Sequence, residues 1–333
     1  MSPRADLACA FLAATDWAEA SRRPLAGDAS NRRYERLQRD DGQTAVLMDA
    51  PPDKGEDIAP FTRIARWLTD QGLSAPRLLA ADAAHGFLLL EDLGDALYAR
   101  VLDSRPDLEG PLYNAAIDTL IAMQRAEPPA LPVYDAGMMA GLSALAFTRY
   151  GAGVTGATDT AITDAFETRF QRILDSVACG PRVLIHRDYH AENLVWLSDR
   201  AGLARVGLLD FQDAMLGHPA YDLVSLLQDA RRDVPPEIED HMIARCLALT
   251  GMDGDRFGAA YAALGAQRNL RILGVFARLS LDHGKPHYLD LMPRVWRHLM
   301  RNLEHPVLRP VADIISHKLP APTPENLARL TMT

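Results

Sequence analysis

The densest run of chemically competent side chains is His186-Arg187-Asp188-Tyr189-His190-Ala191-Glu192-Asn193, set between the apolar runs Val183-Leu184-Ile185 and Leu194-Val195-Trp196-Leu197. A polar loop gripped by two apolar strands is held rigidly, with its side chains available at a surface. Asp188 and Asn193 lie five residues apart. That spacing lets a carboxylate face a hydroxyl while an amide oxygen ligates a metal ion. A second carboxylate, Asp210, ends the run Val206-Gly207-Leu208-Leu209 and is followed by Phe211-Gln212-Asp213. One carboxylate and one amide suit Mg²⁺, which takes few protein oxygens and keeps the rest of its shell for phosphate and water. The set is therefore equipped to take a proton from a hydroxyl beside a metal-held phosphate.

Two further patterns invite chemistry and do not sustain it. His186 and His190 are four apart, but in a loop and without a third ligand nearby they read as a packed histidine and a substrate-facing one. Gly151-Ala152-Gly153-Val154-Thr155-Gly156 matches G-x-G-x-x-G but follows a helical segment, so the strand-turn-helix context of a dinucleotide site is missing. It reads as a turn between helices.

Positioning such a set takes a scaffold, and the chain alternates accordingly. An amphipathic opening helix carries Leu7, Phe11 and Trp17. Two strands flank the Asp40-Asp41-Gly42 turn, and a helix over 57 to 72 has Ile58, Phe61, Ile64, Ala65 and Leu68 at helical spacing. Two more strands surround His85-Gly86. Beyond Gly94 helical patterns dominate, interrupted at 128 to 132, by the two polar strand pairs, and at Pro235-Pro236 and Gly284-Lys285-Pro286. The Pro-rich tail from His317 reads as loosely ordered. The expected fold is α+β and bilobal: a small antiparallel-sheet lobe over 1–91, a linker near 90–94, and a larger, mostly helical lobe over 92–333.

Composition bounds the partners. The chain has 333 residues, 48% apolar and 24% charged, so it folds and exceeds one small core. A net charge of −9 argues against a nucleic-acid partner, which needs a basic stripe. Three cysteines without a CxxC pair argue against a disulfide framework or structural zinc and for a reducing compartment. Asp6 beside Arg4 spoils a signal peptide, and no apolar run reaches membrane length. The expectation is a cytoplasmic protein without a membrane partner.

HRDYHAENL, with LLDFQDAMLGHPAYDL, resembles the aminoglycoside phosphotransferase and choline kinase family, relatives of protein kinases with a bilobal kinase-like fold. GDASNRRY, LMDAPP, LLLEDLGD and GVFARLSLDHGKPHYL are similar to segments of the bacterial N-acetylmuramate/N-acetylglucosamine anomeric kinases within that superfamily. The resemblance spans about residues 25 to 303. It implies ATP and Mg²⁺ as cofactors and a small sugar or amino-sugar as acceptor. It implies Asp188, beside Arg187, as catalytic base, with Asn193 and Asp210 on Mg²⁺ and Asp222 bracing the catalytic loop. It further implies Gly27, Asp28, Ala29, Ser30, Asn31, Arg32 and Arg33 over the nucleotide phosphates, and Glu91, Asp92 and Leu93 at the adenine hinge.

Two departures bear on activity. The third strand, Ala45-Val46-Leu47-Met48-Asp49, lacks the lysine that pairs with the α- and β-phosphates, and the following helix offers no glutamate for it. Arg32 or Arg33 could supply that charge, a guanidinium being well matched to phosphate. The phosphate loop is also poor in glycine. Tyr189, His190, Asp213, Arg268 and Arg271 are candidates for the acceptor pocket. The readings that compete are an anomeric sugar kinase, a phosphotransferase for an aminoglycoside or other small alcohol, and a nucleotide-binding pseudokinase.

Overall fold

The computed structural model describes residues 3–25 and 31–331. Among them are nine strands: β1 Ser21–Leu25, β2 Arg33–Gln38, β3 Thr44–Asp49, β4 Leu78–Asp82, β5 Phe87–Glu91, β6 Val183–Ile185, β7 Leu194–Trp196, β8 Val206–Leu208 and β9 Met215–Gly217. By compactness the chain divides into two units, one of residues 1–129 with 192–214, the other of 130–191 with 215–333. This cut differs from the expected lobe boundary at residues 91 and 92, because helices Tyr98–Ser104 and Glu109–Arg125 and the hairpin of β7 and β8 belong with the first unit.

The first unit is built on an antiparallel sheet in the order β1-β2-β3-β5-β4. The Asp-Asp-Gly hairpin and both later strands are as expected, with Gly42 at φ 85°. Strand β1 is the exception. Its sequence, Ser-Arg-Arg-Pro-Leu, carries no apolar alternation, and it joins at the edge, where Pro24 needs no ladder partner. One face of the sheet is closed by the opening helix Pro3–Ala13, through Ala8 and Leu12, and by Trp17 beyond it, packed against Leu37, Ala45, Leu47, Phe87 and Leu89. Helix Ala59–Asp70 buries Phe61, Ile64, Ala65 and Leu68, as its spacing predicts, and Phe61 lies 4.8 Å from the ring of Phe211.

On the opposite face, antiparallel register aligns Tyr34 with Met48 and Arg36 with Val46, then Val46 with Leu90. Period-two alternation adds Arg32 to this row, while Arg33 points the other way and is exposed. The hairpin of β7 and β8 joins the same unit through helix Tyr98–Ser104 and by the bridges Leu97–Val195 and Ser74–Gly207.

The second unit is helical apart from the short β6–β9 pair. Its centre is the 30-residue helix Gly254–His283, buried along most of its length. The Gly-x-Gly-x-x-Gly segment ends a helical stretch, with Gly156 as a left-handed cap at φ 81°, so no strand precedes it. The tail departs from expectation. It leaves the end of helix Arg309–Lys318, forms helix Pro324–Ala328 and docks. Tyr150 Oη donates to Pro320 O at 2.6 Å, Ser280 Oγ donates to Leu330 O at 2.8 Å, and Leu330 is fully buried. Proline-rich composition says little about order when apolar residues flanking the prolines, here Leu319 and Leu330, are buried.

Candidate active site

In the second unit, the catalytic-loop segment leaves β6 under tight backbone control. Asp222, in helix Ala220–Leu227, accepts the backbone N–H of His186 at 2.6 Å and of Arg187 at 2.9 Å. These two bonds fix the turn at Arg187, whose φ of 76° is costly for a residue with a Cβ. Asp222 is wholly buried, and burial pushes its carboxyl up to about 7 despite those bonds. The Arg187 guanidinium lies over the ring of Tyr134, 5.4 Å from its centre.

Asp188 follows with its side chain 31% exposed. Burial alone would raise its carboxyl, but Arg271 and Arg268 outweigh that effect and hold it below the usual carboxylate range. Arg268 Nη2 lies 4.0 Å from Asp188 Oδ1. Both arginines come from the long helix Gly254–His283, one turn apart, and Arg268 is itself buried. A carboxylate kept ionised in a cation-lined setting can accept a hydroxyl proton and orient its donor.

Of the residues expected at an acceptor, Tyr189 is fully buried and lies edge-to-face with His186 at 5.6 Å. His190 is also buried. Burial pushes its imidazole down to about 4, and Arg231 Nη1 approaches its Nε2 at 3.4 Å. Arg268 and Arg271 remain beside Asp188.

In the first unit, a cavity of about 470 Å³ gathers Asn193, Asp210, Gln212 and Asp213 with Arg32, Tyr34 and Arg36 of the β2 row. Asn193 and Asp210 are tied through the β7–β8 ladder, Leu209 N donating to Asn193 O at 2.9 Å. Asp210 has φ 61°, and its Oδ1 accepts from Gln212 Nε2 at 2.7 Å. Strained backbone at a strand end, next to a packed Phe211, aims the carboxylate into the cavity. One carboxylate and one amide oxygen are the hard donors Mg²⁺ accepts. Among the described residues no group of three or more His, Cys, Asp or Glu is arranged to hold a metal ion. Asp213 sits in this cavity, in the unit that does not contain Arg268 and Arg271.

The cavity's far wall is the segment from Glu91 to Asp95. The Glu91 carboxylate is taken by Arg77 at 3.1 Å and Arg200 at 2.7 Å. Asp92 accepts from the Gly94 N–H at 2.9 Å and shares Arg36 with Asp95. Their side chains thus hold the segment in place, with Leu93 packed against Val195 and Leu197. Gly27, Asp28, Ala29 and Ser30 lie outside the described residues. Asn31 and Arg32 are fixed by Glu56, which accepts Asn31 N at 3.0 Å and Arg32 Nε at 2.9 Å. Tyr34, Arg36 and Glu56 were not singled out from sequence. The alternation Arg32, Tyr34, Arg36 was the available signal for two of them; Glu56 had none.

Residues 21–258 match the model of the "Phosphotransferase enzyme family". An N-acetylmuramate/N-acetylglucosamine kinase of Caulobacter vibrioides is 42% identical over 335 aligned positions, covering 90% of this chain and 92% of that protein. One of Pseudomonas aeruginosa with the same name is 38% identical, covering 83% and 82%. In fold, a choline/ethanolamine kinase family protein from Mesorhizobium loti superposes with a TM-score of 0.63 at 15% identity, over 99% of this chain and 100% of its own. On the match over residues 21–258 and the 42% identity over nine-tenths of its length, the chain belongs to the phosphotransferase enzyme family and is a phosphotransferase acting on an alcohol group.

Proposed function

We propose that the chain transfers the γ-phosphate of ATP to the anomeric hydroxyl of N-acetylmuramate or N-acetylglucosamine, in the cytoplasm. The observation that carries this reading is the 42% identity, over nine-tenths of the chain, to a kinase named for those two sugars.

Asp188 accepts the proton of the acceptor hydroxyl as the oxygen attacks, and Arg271 and Arg268 keep it ionised for that task. Asp222 holds the loop so that the carboxylate is in place before the substrate arrives, which is where most phosphoryl-transfer catalysis comes from. Asn193 and Asp210 would hold Mg²⁺, which neutralises charge on the nucleotide phosphates when bound. Arg32 faces the same phosphates, and the Glu91–Asp95 backbone meets the base. Residues 1–91 then act chiefly on the nucleotide and 92–333 on catalysis and the acceptor.

The cations around Asp188 favour an anionic or neutral acceptor over a polycationic aminoglycoside. The test is nucleotide consumption with Mg²⁺ across N-acetylmuramate, N-acetylglucosamine and kanamycin, followed by phosphorus NMR of the product. An anomeric phosphate is expected. Turnover confined to the aminoglycoside, or tight ATP binding without turnover of any acceptor, would overturn the reading.

A further inference from the structure

The kinase lysine is absent from β3, and register shows why nothing on that strand replaces it. Of β3, Val46 lines the cavity and the buried Met48 stands next to it in the same row, both apolar. Their neighbours across the ladder are Arg36 and Tyr34, with Arg32 next in the row. The positive charge has moved one strand over.

Of the arginines there, Arg36 is already committed. Its side chain is 7% exposed and is forked by Asp92 and Asp95 at 2.6 and 2.5 Å. Arg33 lies on the other face. Arg100 is mostly exposed and lies beside Asp95. Arg32, 13% exposed, lines the cavity on the same row and is paired with Glu56, whose side chain is 12% exposed. Glu56 uses both oxygens, one on Arg32 Nε and one on the Asn31 backbone N–H. It stands just after the left-handed Gly55 and before helix Ala59–Asp70.

Resting on the kinase reading, we infer that Arg32 and Glu56 are a rebuilt cation–carboxylate pair. Arg32 binds the α- and β-phosphates of a nucleoside di- or triphosphate, and Glu56 is the positioning residue that presets its guanidinium. A guanidinium held at Nε has its rotamer chosen before the ligand arrives, which lowers the ordering cost of binding. The pair also differs in construction from that of protein kinases, since its carboxylate comes from a loop and not from a helix.

The test is equilibrium binding of Mg·ATP, ADP and adenosine to the full chain, by calorimetry, for the wild type, Glu56→Gln, Arg32→Gln, Arg32→Lys and the double glutamine variant. Glu56→Gln should weaken ATP and ADP by about 10- to 100-fold, the range for losing a charge-assisted bond. Adenosine affinity and thermal midpoint should stay near wild type, which separates positioning from a folding role. Arg32→Lys should not restore phosphate affinity, because an ammonium lacks the Nε fork. The double variant should be no weaker than Arg32→Gln alone, because Glu56 acts through Arg32. Unchanged ATP affinity in Glu56→Gln, equal losses for ATP and adenosine, or additive losses in the double variant would each overturn the inference. A wild-type chain that bound no nucleotide would overturn the kinase reading with it, whereas ATP binding without sugar turnover would touch only the acceptor.

Discussion

Replacing Asp222 by Asn gives a perturbation whose size can be worked out from the structure. The wild-type carboxylate is fully buried, accepts two backbone N–H groups, and titrates near 7 when folded instead of near 3.8. A folded value above the unfolded one means the folded state holds its proton more tightly. The stability linked to this group is therefore complete below the unfolded value and is lost as pH rises through the window from about 4 to 7. Three units correspond to about 4 kcal/mol in all, of which about 2 to 3 kcal/mol falls between pH 5 and pH 8. Asn retains one acceptor oxygen and loses one buried bond, a cost of about 1 to 3 kcal/mol that does not depend on pH. In urea melts the variant should therefore be clearly less stable than wild type at pH 5, and should close most of that gap by pH 8. Its turnover should fall at both pH values, because the turn at Arg187 is less firmly fixed. A stability difference that stayed constant from pH 5 to pH 8 would refute the buried-carboxylate argument.

Three other outcomes follow from the same geometry. Asp188→Asn should fold with an unchanged thermal midpoint yet lose nearly all ATP-dependent phosphorylation, measured by coupled ADP release. Arg271→Gln removes the largest influence holding the Asp188 carboxyl down, so burial should raise it, and the acid limb of the kcat/KM–pH profile should move to higher pH. Gly86→Ala should lower stability by about 3 kcal/mol or more in urea melts, since a Cβ there would sit 2.0 Å from the Ala50 carbonyl oxygen at a φ of 72°.

Much of the scaffold was legible because its signals are local. Gly42 and Gly86 mark hairpins between apolar strands, and Phe61, Ile64, Ala65 and Leu68 repeat at helical spacing, so each element carries its own period. Strand β1 was not legible, because an edge strand with Pro24 and two arginines borrows its stability from the partner it pairs with. The docked tail was missed for a similar reason: Leu330 has value only against the groove that receives it.

The sequence by itself determined the chemistry. The residue types and spacing of Asp188, Asn193 and Asp210 are set along one stretch of chain, and no packing decision alters them. What tertiary structure decided was which neighbours serve that chemistry. Adjacent arginines 32 and 33 look equivalent as text, but strand parity sends one into the cavity and the other to solvent. Tyr189, one residue past the proposed base, is core. Arg36 is bound by carboxylates 56 and 59 positions away, and Arg32 by one 24 positions away. Ion pairs over such separations leave no local period or spacing, because their partners meet only when the sheet has formed.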